Sequence, residues 1–265
     1  MNPTTQRVTI AGPAGPIECA IDEPAAGHPV HGVAVWCHPH PQHGGTMDNK
    51  VAQTLARAAI ALGWRSVRFN FRGVGASEGQ WDEGHGEIDD ALAVVNAMRR
   101  AGEPLLLAGF SFGAYVASQA AARLPDDAKP QRLALVGPST QKQRMPAVPA
   151  DTVVIHGEAD DVVPLSATLE WARPQALPVI VFPDTLSSVV GKPRLMFLRL
   201  PPNVLTSTRK PGAKPGTRSN KRAGPSSRLP TMLEAIPISS CHEAPSMRRS
   251  SPRSSASAIQ PRRSS

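Results

Sequence analysis

From about residue 5 to residue 183, short runs of apolar and β-branched residues alternate with longer stretches whose apolar positions recur every three or four residues. That alternation predicts strands linked by crossover helices, and therefore a mostly parallel sheet covered on both faces. Eight runs predict strands, over residues 7–10, 17–21, 32–36, 66–71, 105–108, 132–136, 152–155 and 179–182. The first two are joined by the turn-like Gly12, Pro13, Ala14 and Gly15, which predicts an antiparallel hairpin at one sheet edge. Val51, Leu55, Ala59 and Leu62 share one helical face, as do Ile88, Ala91, Leu92 and Val95 with Met98 beside them. A third helix is expected to start at or just after Ser111 and run through an Ala-rich stretch to Leu124, and a fourth over residues 165–172.

The periodicity stops at Asp184. Residues 184–265 hold 11 Pro and 16 Ser in 82 positions, a composition that predicts a low-complexity, disordered tail rather than a second folded domain. Charge divides at the same place. Residues 1–183 carry 14 Lys and Arg against 18 Asp and Glu, whereas the tail carries 15 against 3, so the overall +8 arises from the tail. The protein as a whole is therefore not a basic nucleic-acid binder.

No apolar run reaches the ~20 residues of a membrane span, and the first ten residues lack the basic and apolar regions of a leader, which together predict a cytoplasmic protein. Cys19, Cys37 and Cys241 are odd in number and widely spaced, so neither a disulfide framework nor a metal site is expected. Cys19 and Cys37 read as small buried strand residues.

The strongest chemical signal is Gly109-Phe110-Ser111-Phe112-Gly113, a G-x-S-x-G pattern directly after an apolar strand and directly before a helix. So sharp a strand-to-helix turn gives the serine unusual dihedrals, requires small residues on either side, and stands the hydroxyl near the positive end of the next helix. A serine nucleophile also needs a base, an orienting carboxylate and donors for the developing oxyanion. Three loops bear on this: residues 37–46 after the third strand, rich in His and Pro; residues 70–79 after the fourth, with Arg72-Gly73-Val74-Gly75; and residues 156–164 after the seventh. The second lacks the Lys and spacing of a phosphate-binding P-loop.

In this order, the segments resemble the α/β-hydrolase superfamily, and in detail its small lidless bacterial serine hydrolases related to dienelactone hydrolases and acyl-peptide-type esterases. The resemblance covers about residues 5–183. It implies an α/β-hydrolase fold of eight mostly parallel strands over 1–183, with no cofactor and no metal. It also implies Ser111 as nucleophile and Asp160 of the H-G-x-x-D-x-x-V-P pattern as the orienting acid, with Asp161 the adjacent alternative. The oxyanion hole would comprise the amide of Phe112 and an amide of the loop after the third strand, His40 or else Gln42, since Pro39 and Pro41 cannot donate. The remaining histidines have structural readings: His38 and His40 shape their loop, His43 lies on its surface, His156 is a buried strand-end residue, and His85 marks a solvated acidic turn with Asp82, Glu83 and Glu87.

The superfamily's catalytic histidine follows the last strand and precedes a closing amphipathic helix, and neither is present after Pro183. The next histidine is His242. An abrupt passage into Arg, Ser and Pro is what translation in a wrong frame yields, so a frameshift would remove the histidine and the helix together. The competing expectation is a diverged chain in which His43 or His85 substitutes or no chemistry occurs. The function implied is hydrolysis of carboxylic esters or related acyl compounds, with a small-molecule substrate, no specific nucleic acid and no membrane, and with a homodimer left open. The alternative is a non-catalytic hydrolase scaffold whose basic tail makes nonspecific contacts with nucleic acid or anionic surfaces.

Overall fold

The computed structural model describes residues 5–183, so the expectations for the tail, for Cys241 and for His242 lie outside the described residues. Eight strands form one sheet: β1 (Gln6–Gly12), β2 (Gly15–Asp22), β3 (Gly32–Cys37), β4 (Trp64–Phe69), β5 (Leu105–Phe110), β6 (Arg132–Val136), β7 (Val153–Gly157) and β8 (Val179–Phe182). Four helices flank it: α1 (Lys50–Ala61), α2 (His85–Met98), α3 (Phe112–Arg123) and α4 (Leu165–Ala172). The spatial order is β1-β2-β4-β3-β5-β6-β7-β8, antiparallel from β1 through β4 and parallel thereafter. This is the mostly parallel, eight-stranded sheet that the pattern of strands and helices predicts, in the arrangement that the resemblance implies.

β3 and β5 are neighbours although β4 and α2 intervene in the chain. Chain order reverses between these two strands, and loops leaving their carboxyl ends diverge to open a crevice. Strand alternation then sorts the core. Val33, Val35, Leu105, Leu107, Leu133 and Leu135 pack with apolar residues of α2 and α3, whereas Ala34, Trp36, Leu106, Ala108, Ala134 and Val136 meet Val51, Leu55 and Ala59 of α1. Every residue of β3 is buried, as a strand covered on both faces requires. At the far edge, β8 is only partly covered, and Val181 is 38% exposed.

Boundaries differ from the sequence reading where polar side chains decide them. β4 begins at Trp64, two residues earlier than the β-branched run suggests, because Trp64 pairs with Gly32 in the parallel ladder. It also ends at Phe69, because Asn70 turns its amide to the Glu18 carbonyl and its side-chain carbonyl oxygen accepts the Met47 N–H (2.8 Å). α1 starts at Lys50, capped by Asn49, whose side-chain oxygen accepts from the Val51 amide at 2.9 Å.

Buried ion pairs fasten the loops. Arg68, 3% exposed, donates to Asp22 at 3.1 Å, joining β4 to the hairpin. Arg72 reaches α2 with a two-pronged grip on the fully buried Asp90 (3.0 and 2.8 Å), and the Arg72 amide donates to the same carboxylate at 3.0 Å. The acidic turn before α2 is not solvated throughout, contrary to expectation. Glu87 is 0% exposed and accepts from the Asp82 and Gly84 amides (3.0 and 2.8 Å), satisfying donors that the helix start leaves open. Asp82, Glu83 and His85 are exposed.

Removing one partner of a buried, hydrogen-bonded ion pair strands the other charge and costs about 3–5 kcal/mol. Asp90→Ala is therefore expected to lower the urea-unfolding free energy by about that amount, measured at pH 7. A change below ~1 kcal/mol would show that water reaches Arg72 freely.

Candidate active site

Ser111 sits between β5 and α3 with φ 55° and ψ −117°. A left-handed φ on a residue with a side chain costs of order 1–3 kcal/mol and persists only where the surroundings impose it. Here they do. A side chain at Gly109 would place its Cβ 2.0 Å from the Gly113 carbonyl oxygen, and one at Gly113 would lie 2.2 Å from the Cys37 carbonyl oxygen. α3 thus packs directly on the end of β3, and the Ser111 amide is anchored to the Val136 carbonyl of β6 at 2.9 Å. Although it precedes α3, the serine side chain makes no capping hydrogen bond. Its hydroxyl is left to the cavity beyond.

The loop after β3 is held rigidly. His38 is fully buried, and both ring nitrogens serve the backbone: Nε2 accepts from the Phe71 amide (3.1 Å) and Nδ1 donates to the Pro39 carbonyl (2.7 Å). Burial pushes its pKa down to about 4, so the ring is neutral. The chain then winds through a short 3₁₀ turn, Pro41–His43, in which the His40 carbonyl accepts from the His43 and Gly45 amides (3.1 and 3.0 Å). The His40 ring stacks against Trp81 and Phe112, at centroid distances of 4.5 and 5.1 Å. Burial lowers the His40 pKa, as do the nearby charges of His43 and Lys142. Among the described residues, neither the His40 nor the Phe112 backbone N–H has a hydrogen-bond acceptor.

Asp160 lies on the loop after β7, 8% exposed. Its Oδ1 accepts from the Val162 and Val163 amides (3.0 and 2.8 Å), while Oδ2 takes no hydrogen bond among the described residues. His156, fully buried at the end of β7, donates from Nε2 to the Val163 carbonyl at 2.8 Å and so pins the same loop. The neighbouring Asp161 is exposed.

One cavity of about 470 Å³ gathers these parts: Ser111, Phe112, His40 and Asp160 all line it. His43 is exposed, as a loop-surface residue, and the turn at Pro41–His43 also sets it at the edge of this cavity. Asp161, Gln42 and His85 are not among the lining residues. Sequence reasoning missed the loop after β6, which adds Gly137, Ser139, Lys142 and Gln143. No motif marks that loop. Its one signal is position, directly after a central parallel strand. Among the described residues, no group of three His, Cys, Asp or Glu is placed to hold a metal ion, and no helix is long and apolar enough to cross a membrane.

Comparison with known proteins agrees with this geometry. Residues 28–150 match the serine aminopeptidase family, S33. A lidless α/β serine hydrolase from Xanthomonas campestris is 38% identical, with a TM-score of 0.67 over 74% of this chain and 92% of that one. An α/β serine hydrolase homologue from Coxiella burnetii is 35% identical, with a TM-score of 0.63 over 73% and 96%. An uncharacterised protein of Rickettsia prowazekii is 38% identical over 118 residues, and the match spans about half (49%) of its length. The chain belongs to the α/β-hydrolase superfamily, among its serine hydrolases.

Two measurements follow from the geometry. Gly113→Ala places a methyl group against backbone carbonyls that cannot rotate away, and is expected to cost about 1–3 kcal/mol, read as a lowered midpoint in thermal unfolding. An unchanged midpoint would mean that α3 does not seat on β3 as described. The second concerns pH. His38 titrates near 4 when folded but near 6.5 when unfolded. Between those values the unfolded chain binds more protons, so stability falls as pH drops from about 6.5 toward 4, by up to about 3 kcal/mol. Urea titrations at pH 7 and 4.5 check it; His38→Gln should flatten the dependence.

Proposed function

We propose that this serine hydrolase cleaves carboxylic esters or related acyl compounds, with Ser111 as nucleophile and Asp160 as the acid that orients a histidine. The amides of Phe112 and His40 form the oxyanion hole in this reading. One observation carries it: a serine held in a left-handed turn, its hydroxyl not spent on capping α3, shares a cavity with Asp160 and with the two residues whose amides are unengaged.

In the reaction, Ser111 Oγ attacks the acyl carbon and its proton passes to a base. The carbonyl oxygen gains negative charge between the two N–H donors, at the positive end of α3. Collapse of the tetrahedral intermediate breaks the acyl–oxygen bond, and the alcohol leaves with the proton from the base. Water, activated by the same base, then releases the acid. The free Oδ2 of Asp160 suits a carboxylate that accepts a hydrogen bond from the base's other nitrogen. In the superfamily's pattern the base follows β8, where the Glu158 amide donates to the Phe182 carbonyl (2.9 Å) and draws the Asp160 loop to the end of that strand; the first histidine this sequence has beyond it is His242.

Among the described residues, no histidine is hydrogen-bonded to the Ser111 hydroxyl. This favours a second reading, a hydrolase scaffold that binds its ligand without turning it over. A serine hydrolase lacking its base retains about 10⁻⁴ to 10⁻⁶ of the complete triad's kcat.

A fluorophosphonate probe is expected to label the wild-type chain and to lose that labelling in Ser111→Ala, read by intact mass. Labelling that survives Ser111→Ala would overturn the assignment of Ser111. A wild-type chain that takes no label would transfer the proposal to the binding scaffold.

A further inference from the structure

The loop after β6 has chemistry that ester hydrolysis does not use. The amides of Lys142 and Gln143 both donate to the Ser139 carbonyl, at 3.3 and 3.0 Å, winding residues 139–143 into a turn that borders the cavity. Ser139 is 6% exposed and lines the cavity; its hydroxyl oxygen is accessible there and makes no hydrogen bond among the described residues, which leaves it to donate to a ligand. Lys142 lines the same cavity, and no described carboxylate lies within ion-pair distance of its ammonium group.

Asp160, the one acidic residue among the described lining residues, has one oxygen held by two amides. Burial favours the neutral form of His40, whereas Lys142 brings a full positive charge and α3 directs its positive end at Ser111. A neutral ligand can accept from the Ser139 hydroxyl through a carbonyl but gains no charge pairing from Lys142. An anionic one would accept from that hydroxyl and meet an unpaired ammonium, and such charge-assisted contacts are the strong ones.

We propose that Ser139 and Lys142 form a subsite for a carboxylate, so that the preferred substrates are acyl compounds bearing a second, ionised acid group, such as half-esters of dicarboxylic acids. The inference rests on the reading of the Ser111 cavity as the substrate site. Ser139 donates its hydroxyl hydrogen to one carboxylate oxygen, and Lys142 supplies the countercharge at the cavity rim. Neither residue takes part in bond making. Both set which acyl group is held in reach of Ser111.

The test is binding, which does not depend on turnover. In the full-length chain carrying Ser111→Ala, so that no ester is consumed, dissociation constants are measured by calorimetry at low salt for benzyl hydrogen glutarate and for its carboxamide counterpart. The carboxylate is expected to bind about tenfold more tightly. Lys142→Met should bring the ratio to about one, Ser139→Ala should reduce it, and Lys142→Arg should retain most of it. Equal affinities with Lys142 present, a preference that survives Lys142→Met, or no binding of either ligand would each overturn the subsite. Fluorophosphonate labelling of Ser111 separates this outcome from failure of the broader reading. Labelling without carboxylate preference removes the subsite alone, whereas preference without labelling leaves a carboxylate-binding cavity that does no hydrolysis.

Discussion

The close approach of two glycines is the constraint on which the site rests. Gly109 and Gly113 let the start of α3 lie against the carbonyls that end β3, with no room for a methyl group at either position. From that contact follow the left-handed backbone of Ser111, the direction of the α3 dipole, and the nearness of the Phe112 amide to the His40 loop. The strain at Ser111 is sustained by the sheet beneath it, because β5 is hydrogen-bonded on both sides and its residues are almost all buried. A loop on the surface would relax instead.

Most of this fold was legible in the sequence, for a simple reason. Strands covered on both faces must be apolar at successive positions, and helices covered on one face must be apolar at every third or fourth. Both patterns survive in the chain, so all eight strands and four helices were found. What was not legible lay where polar side chains override the pattern. The β-branched run at 66–71 continues past the true end of β4, which Asn70 terminates by turning to Glu18 and Met47. Glu87 reads as one acid in a solvated cluster, yet it is buried because the Asp82 and Gly84 amides need an acceptor. Neither outcome can be inferred without knowing which backbone groups lack partners.

The candidate site divides in the same way. Ser111, Phe112 and Asp160 lie in motifs whose spacing reflects tight turns at strand ends, and such turns leave glycines and acids at fixed offsets. His40 was reachable only through the resemblance, which points to an amide of that loop, and the two prolines left Gln42 open beside it. His38 shows the other side: its role depends on two backbone partners, the Phe71 amide and the Pro39 carbonyl, one of them far away in sequence. The loop after β6 was silent because a serine and a lysine in a turn are unremarkable until the fold brings them beside the nucleophile.

Among the described residues, the last to line the cavity is Val163, whereas the partly covered edge strand β8 begins at Val179. During synthesis, the residues that surround Ser111 leave the ribosome before the strand that finishes the sheet, and the domain folds as a unit only once that strand has emerged. A change confined to codons beyond β8 leaves the described walls of the pocket unaltered in sequence.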